Sequence, residues 1–78
     1  MGGRMKKANQ EALEALSRGP LFRSEHGHYQ EGNPRLYARE TVAELRVGGL
    51  AKFDRNVGAI RITSAGCQAL GGVRSLKT

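Results

Sequence analysis

Residues 38–70 read ARETVAELRVGGLAKFDRNVGAIRITSAGCQAL, and they decide the fold because signals for a helix, a stop, a hairpin and a second helix follow one another without a gap. At about 100° per position, Ala38, Thr41, Val42 and Leu45 fall on one side of a helix over 38–47. Glu40, Ala43, Glu44 and Val47 fall opposite, with Arg39 and Arg46 on a shared flank, so the helix is one-sided with a modest apolar stripe. Gly48 and Gly49 follow at once, and either can take the left-handed conformation that ends a helix and lets Leu50 fold back on the last turn.

Beyond this reversal the period changes to two. Ala51 and Phe53 alternate with Lys52 and Asp54, and Ile60 and Ile62 alternate with Arg61, which predicts two half-buried strands over 50–54 and 59–62. The link between them, Arg55, Asn56, Val57 and Gly58, is short and holds two residues that tolerate positive φ. An antiparallel hairpin with Phe53 near Ile60, both facing inward, is the economical reading. Thr63 then caps a helix over 64–70, with Ala65, Ala69 and Leu70 available to close the core, and Gly71-Gly72 reads as its stop.

A helix followed by Gly-Leu, a basic hairpin and an Ile-Thr-x-x-Gly-x-x-x-Leu segment resembles the second half of a winged helix-turn-helix domain, as in bacterial regulators of the multiple-antibiotic-resistance (MarR) type. Val42, Leu45, Gly49, Leu50, Ile62, Thr63, Gly66 and Leu70 carry the likeness. The resemblance implies a small α+β winged-helix domain: three helices and a short antiparallel sheet that includes a C-terminal hairpin wing. It also implies a transcriptional regulator that meets duplex DNA through helix 38–48 and wing 50–62.

Composition is consistent with that size and partner. Seventy-eight residues make one domain, near the lower limit for a self-sufficient core. The expected division is a disordered start over 1–4, a domain over 5–72 and a mobile basic tail over 73–78. No run of about 18 apolar residues is present, so no membrane span is expected. A single cysteine, Cys67, and no apolar leader favour a cytoplasmic protein. Met1-Gly2-Gly3 lacks the Ser or Thr that a myristoylation signal wants, having Lys6 in its place. The net charge of +6 attracts polyanions, and from Arg55 onward the chain holds no acidic residue.

The first half is less regular. Residues 5–18 place Met5, Ala8, Ala12, Leu13, Ala15 and Leu16 on one helical face, with Lys7 and Glu11 spaced to pair, and Gly19-Pro20 stops the helix. Residues 21–23 read as a short strand that crosses to the wing in a winged-helix arrangement. For 24–35 two readings stay open. One is a hairpin turning at Glu25-His26-Gly27 and returning through His28-Tyr29-Gln30. The other is a helix capped by Asn33 with Pro34 at its first position. Leu36 would then lie ~160° from the apolar stripe, which favours Leu36 and Tyr37 as extended residues. A regular winged helix has its second helix here, and this stretch does not look like one.

Candidate DNA contacts are Arg39 and Arg46 on the helix, reaching base edges or phosphates, and Lys52, Arg55, Asn56 and Arg61 on the wing, supplying sequence-independent affinity. The bland alternative is a solvated helix face and a hairpin whose charges discourage aggregation. Glu40, Glu44 and an outward Val47 favour another task, a protein-interaction or dimerisation module without nucleic acid, and a chain this small gains core from a homodimer. His26 and His28, with Cys67 or Glu25, make a thin case for a metal; two histidines in a glycine-containing loop are expected at the surface, and neither metal nor cofactor is expected. Cys67 reads as a half-buried small hydrophobe rather than a redox sensor. Phe22, Tyr37 and Phe53 read as core and core-edge residues, Tyr29 as exposed, and no catalytic constellation is present.

Overall fold

Twelve residues rich in Ala, Leu and Glu form the first helix, α1 (Lys7–Arg18), in a computed structural model that describes residues 5–75, with side chains described as far as Gly71. Ala12, Leu13, Ala15 and Leu16 are buried along one stripe, as the period requires, whereas Ala8 stays exposed. The anticipated Lys7–Glu11 pair does not form. Glu11 instead pairs with Arg35, which lies over the Tyr37 ring at 4.9 Å.

The stretch that the sequence left open is a three-stranded antiparallel meander of β1 (Phe22–Ser24), β2 (Gly27–Gln30) and β3 (Asn33–Tyr37). The hairpin reading of 24–30 is the observed one, and Asn33-Pro34 starts a strand rather than a helix. Ser24 shapes the tight turn: its hydroxyl donates to the Gly27 carbonyl at 3.0 Å and accepts from the His26 amide at 3.3 Å. Strand β2 buries His28 and Gln30 and exposes Tyr29 between them. Cross-strand register sets Phe22, Tyr29 and Leu36 in a row on the other face, with the Phe22 and Tyr29 rings 5.6 Å apart.

Helix α2 (Arg39–Val47) buries Val42 and Leu45 and ends as its glycines dictate. Gly49, at φ +78°, takes the left-handed position. Its amide donates to the Arg46 carbonyl and the Leu50 amide donates to Leu45 at 2.9 Å, the paired bonds of a Schellman stop. Strands β4 (Ala51–Asp54) and β5 (Ala59–Ile62) form the expected antiparallel hairpin, in a register that sets Lys52 opposite Arg61 and Phe53 opposite Ile60. Phe53, however, is 48% exposed, because the chain opposite its ring leaves a hollow instead of core.

Helix α3 (Ser64–Ser75) begins at its expected cap, the Thr63 hydroxyl accepting from the Gly66 amide at 3.1 Å. It does not stop at Gly71-Gly72. It takes in 73–75, the start of the expected tail, while 1–4 and 76–78 lie outside the described residues. Gly66 rather than Ala65 faces the core, and a Cβ there would stand 2.2 Å from the Leu50 carbonyl oxygen, so the helix and the 50–51 chain approach as closely as backbones allow. Cys67 is accordingly exposed, not half-buried.

The two sheets meet at one point, where Leu21 and Ile60 exchange both backbone hydrogen bonds at 3.0 and 2.9 Å. Leu21 is fully buried there, with Leu13, Leu16, Val42, Leu45, Ile60 and Leu70 packed in one core. Gln30 closes the far side, donating from Nε2 to the carbonyls of Ala15 at 2.6 Å and Gly19 at 3.1 Å. The described residues thus form a small α+β unit of three helices and two antiparallel sheets. None of these helices is long and apolar enough to cross a membrane.

Candidate nucleic-acid interface

Where α2 passes over the meander and the hairpin, the surface is concave and positively charged. A cavity of about 250 Å³ has Leu21, Ala59 and Ile60 as its apolar floor, Arg39 and Arg46 from α2, Arg23 from β1, and Phe53 from β4. No acidic side chain lines it. The arginines converge because of phase and register: Arg39 and Arg46 lie seven positions apart on one flank of α2, and Arg23 pairs across β1–β2 with His28 directly beneath them.

His28 records the electrostatic consequence. It is only 8% exposed, and burial lowers its pKa below the ordinary 6.5, with Arg23, Arg39 and Arg46 pushing in the same direction. Its Nδ1 is sealed from solvent without a hydrogen-bond partner among the described residues. Orphaned buried N–H groups are rarer than under-satisfied acceptors, which favours Nε2 as the protonated nitrogen of the neutral ring. The expectation that both histidines lie at the surface therefore holds for His26 and fails for His28.

The expected contact residues divide between surfaces. Arg39 and Arg46 share the cavity; Arg55 and Asn56 sit exposed at the hairpin tip; Lys52 and Arg61 occupy the opposite face of the hairpin, beside Asp54. They differ in freedom as well. Arg39 donates from Nη2 to the carbonyls of Ser24 and Glu25, and Arg61 to Asp54 at 3.2 Å, whereas the side chains of Arg23, Arg46, Lys52 and Arg55 make no hydrogen bond or ion pair among the described residues. Asp54 also accepts from the Asn56 amide, and that bond, with the Arg61 charge, holds its carboxyl below the usual range.

The acidic side chains of α2 do not enter the cavity. Glu44 turns to α1, accepting from Asn9 at 2.9 Å and Lys6 at 3.4 Å, bonds that lower its pKa; Glu40 stays exposed. Arg23 and His28 are the members that sequence reasoning missed. Their signal was the hairpin reading of 24–30, which sets the two opposite each other, but only the fold brings α2 above them.

A larger hollow, about 590 Å³, lies beside Gly19, Pro20 and Gln30, where Arg18 is offset by Glu31. Among the described residues no three His, Cys, Asp or Glu side chains are grouped to hold a metal ion. No protein-family profile, no curated protein and no solved structure matches this chain.

Proposed function

We propose that this chain is a winged-helix-like domain that binds duplex DNA, with α2 and the β4–β5 hairpin as the two contacting elements. One observation carries the reading: the cavity shared by α2, β1 and the hairpin gathers Arg23, Arg39 and Arg46 with no acidic residue in its lining. The order of helix, hairpin and helix, with the residue just before β1 bridged to the hairpin at Leu21 and Ile60, supports the winged-helix assignment, and a meander stands where the regular second helix would be. In this reading Arg46 and Arg55, which have no partner among the described residues, contact phosphates. Arg39 positions α2, and Lys52 and Arg61 add to the attracting field from behind.

The test is fluorescence anisotropy with mixed-sequence duplexes over a salt series. Arg55→Ala weakens binding to every sequence and lowers the salt slope by about 1, as loss of one phosphate contact requires. Absence of any binding at low salt overturns the proposal.

A second reading rests on the row of Phe22, Tyr29 and Leu36 across the outer face of the meander, where Tyr29 is 39% and Leu36 49% exposed. Such a row suits a protein-interaction or homodimer surface. Sedimentation distinguishes the two: a salt-resistant dimer that leaves duplexes unshifted favours this second task.

A further inference from the structure

The cavity beneath α2 carries more charge than a passing DNA backbone calls for. Each backbone phosphodiester bears one negative charge, while three guanidiniums here border a single hollow with no acidic residue in its lining. A phosphate monoester, at about −1.5 to −2 near pH 7, is the better match.

Two further features narrow the ligand. His28 is more than nine-tenths buried, and with Nδ1 sealed its Nε2–H is the ring group available to an acceptor in the hollow; it donates while neutral, so it adds a hydrogen bond without a fourth cation. Phe53, nearly half exposed although it lies on the core side of its strand, offers the same hollow a flat apolar face. At about 250 Å³ the cavity lies just below the roughly 300–1,000 Å³ of most small-molecule sites, which limits the ligand to about the size of a mononucleotide.

We propose that this cavity binds a nucleoside 5′-phosphate, free or as the phosphorylated end of a nucleic-acid strand. Arg23, Arg46 and the Nε2–H of His28 hold the phosphate, Arg39 holds it with the donors left free by its bonds to the β1–β2 turn, and Phe53 stacks on the base. The inference goes beyond duplex binding and does not depend on it.

Titration of the full chain with adenosine 5′-phosphate, adenosine and inorganic phosphate, followed by calorimetry and by the ring resonances of His28, tests it. The nucleotide shifts the His28 ring signals and binds about tenfold or more tighter than adenosine, the difference expected of charge-assisted hydrogen bonds. Arg46→Gln, at an exposed residue with no structural bond among those described, removes that difference. Phe53→Ala weakens the nucleotide and leaves inorganic phosphate unchanged. A short single strand that binds better with a 5′-phosphate than with a 5′-hydroxyl identifies a strand end as the source; equal binding of both strands beside a tight free nucleotide identifies the nucleotide. Equal affinity for adenosine and its phosphate, or shifts confined to residues outside the cavity, overturns the inference. Duplex binding that persists in that case leaves the proposed function standing, and a nucleotide response without duplex binding does the reverse.

Discussion

Arg39 Nη2 donates to the carbonyl oxygen of Ser24 at 2.9 Å, pinning the first turn of α2 to the turn that joins β1 and β2. The same nitrogen reaches the Glu25 carbonyl at 3.1 Å, so one guanidinium satisfies two turn acceptors. An arginine that reads as a DNA contact is thus first a clamp between helix and meander.

Arg39→Ala is therefore expected to lower stability by about 1 kcal/mol, whereas Arg46→Ala, which breaks no such bond, stays within about 0.5 kcal/mol of the parent. Urea unfolding of the two variants side by side checks this, and equal midpoints would refute the clamp.

Gln30→Ala should be costlier. Its amide nitrogen satisfies the carbonyls of Ala15 and Gly19 at the end of α1, inside the protein, and truncation leaves both without that donor. A loss of about 1–3 kcal/mol in chemical denaturation is expected, with Gln30→Glu at least as damaging because its carboxylate can only accept.

At Gly66 the smallest possible addition is already too large. A methyl group would sit 2.2 Å from Leu50 O and 2.6 Å from the Ile62 side chain, so Gly66→Ala must push α3 away from the hairpin. About 1–3 kcal/mol of destabilisation, or failure to fold, is the expected outcome despite alanine's better helix propensity. A variant as stable as the parent would show that α3 packs otherwise.

His28 makes stability depend on pH with a defined sign. Its folded pKa lies below 6.5, so the unfolded chain takes up the proton first, and stability present above pH 6.5 falls as the pH drops toward the folded value. Glu44 and Asp54, both lowered from 4.5 and 3.8, titrate further down and leave this window clear. Unfolding measured at about pH 7.5 and 5.5 should show the loss in the parent and a smaller one in His28→Gln. A slope that the substitution does not change would remove His28 as its source.

What the sequence made legible was local. Helix α1, the Gly49 stop, the Phe53–Ile60 hairpin and the Thr63 cap each follow from neighbours within a few positions. What it hid depended on distant chain. Strand β3 carries a proline and buries little besides Tyr37, so no period announces it until β2 pairs with it. Alternation gave the side of the sheet on which Phe53 lies but not that a hollow would face it. Gly71-Gly72 reads as a stop, yet glycine in a helix costs only about 1 kcal/mol each, and α3 continues through both. The candidate face was legible in part for the same reason: Arg39 and Arg46 share a helix flank in any fold, while Arg23 and His28 join them only once the meander has formed.

The seam between Leu21 and Ile60 ties the candidate site to the integrity of the entire molecule. Each sheet can form from nearby segments, but this pairing closes a long loop and arrives only when most of the chain has come together. Because the same two residues line the cationic hollow, a partly opened molecule has no such hollow to offer. A bound anion would then protect the slowest-exchanging amides of the protein, not just those near it, since it stabilises the native state against global opening.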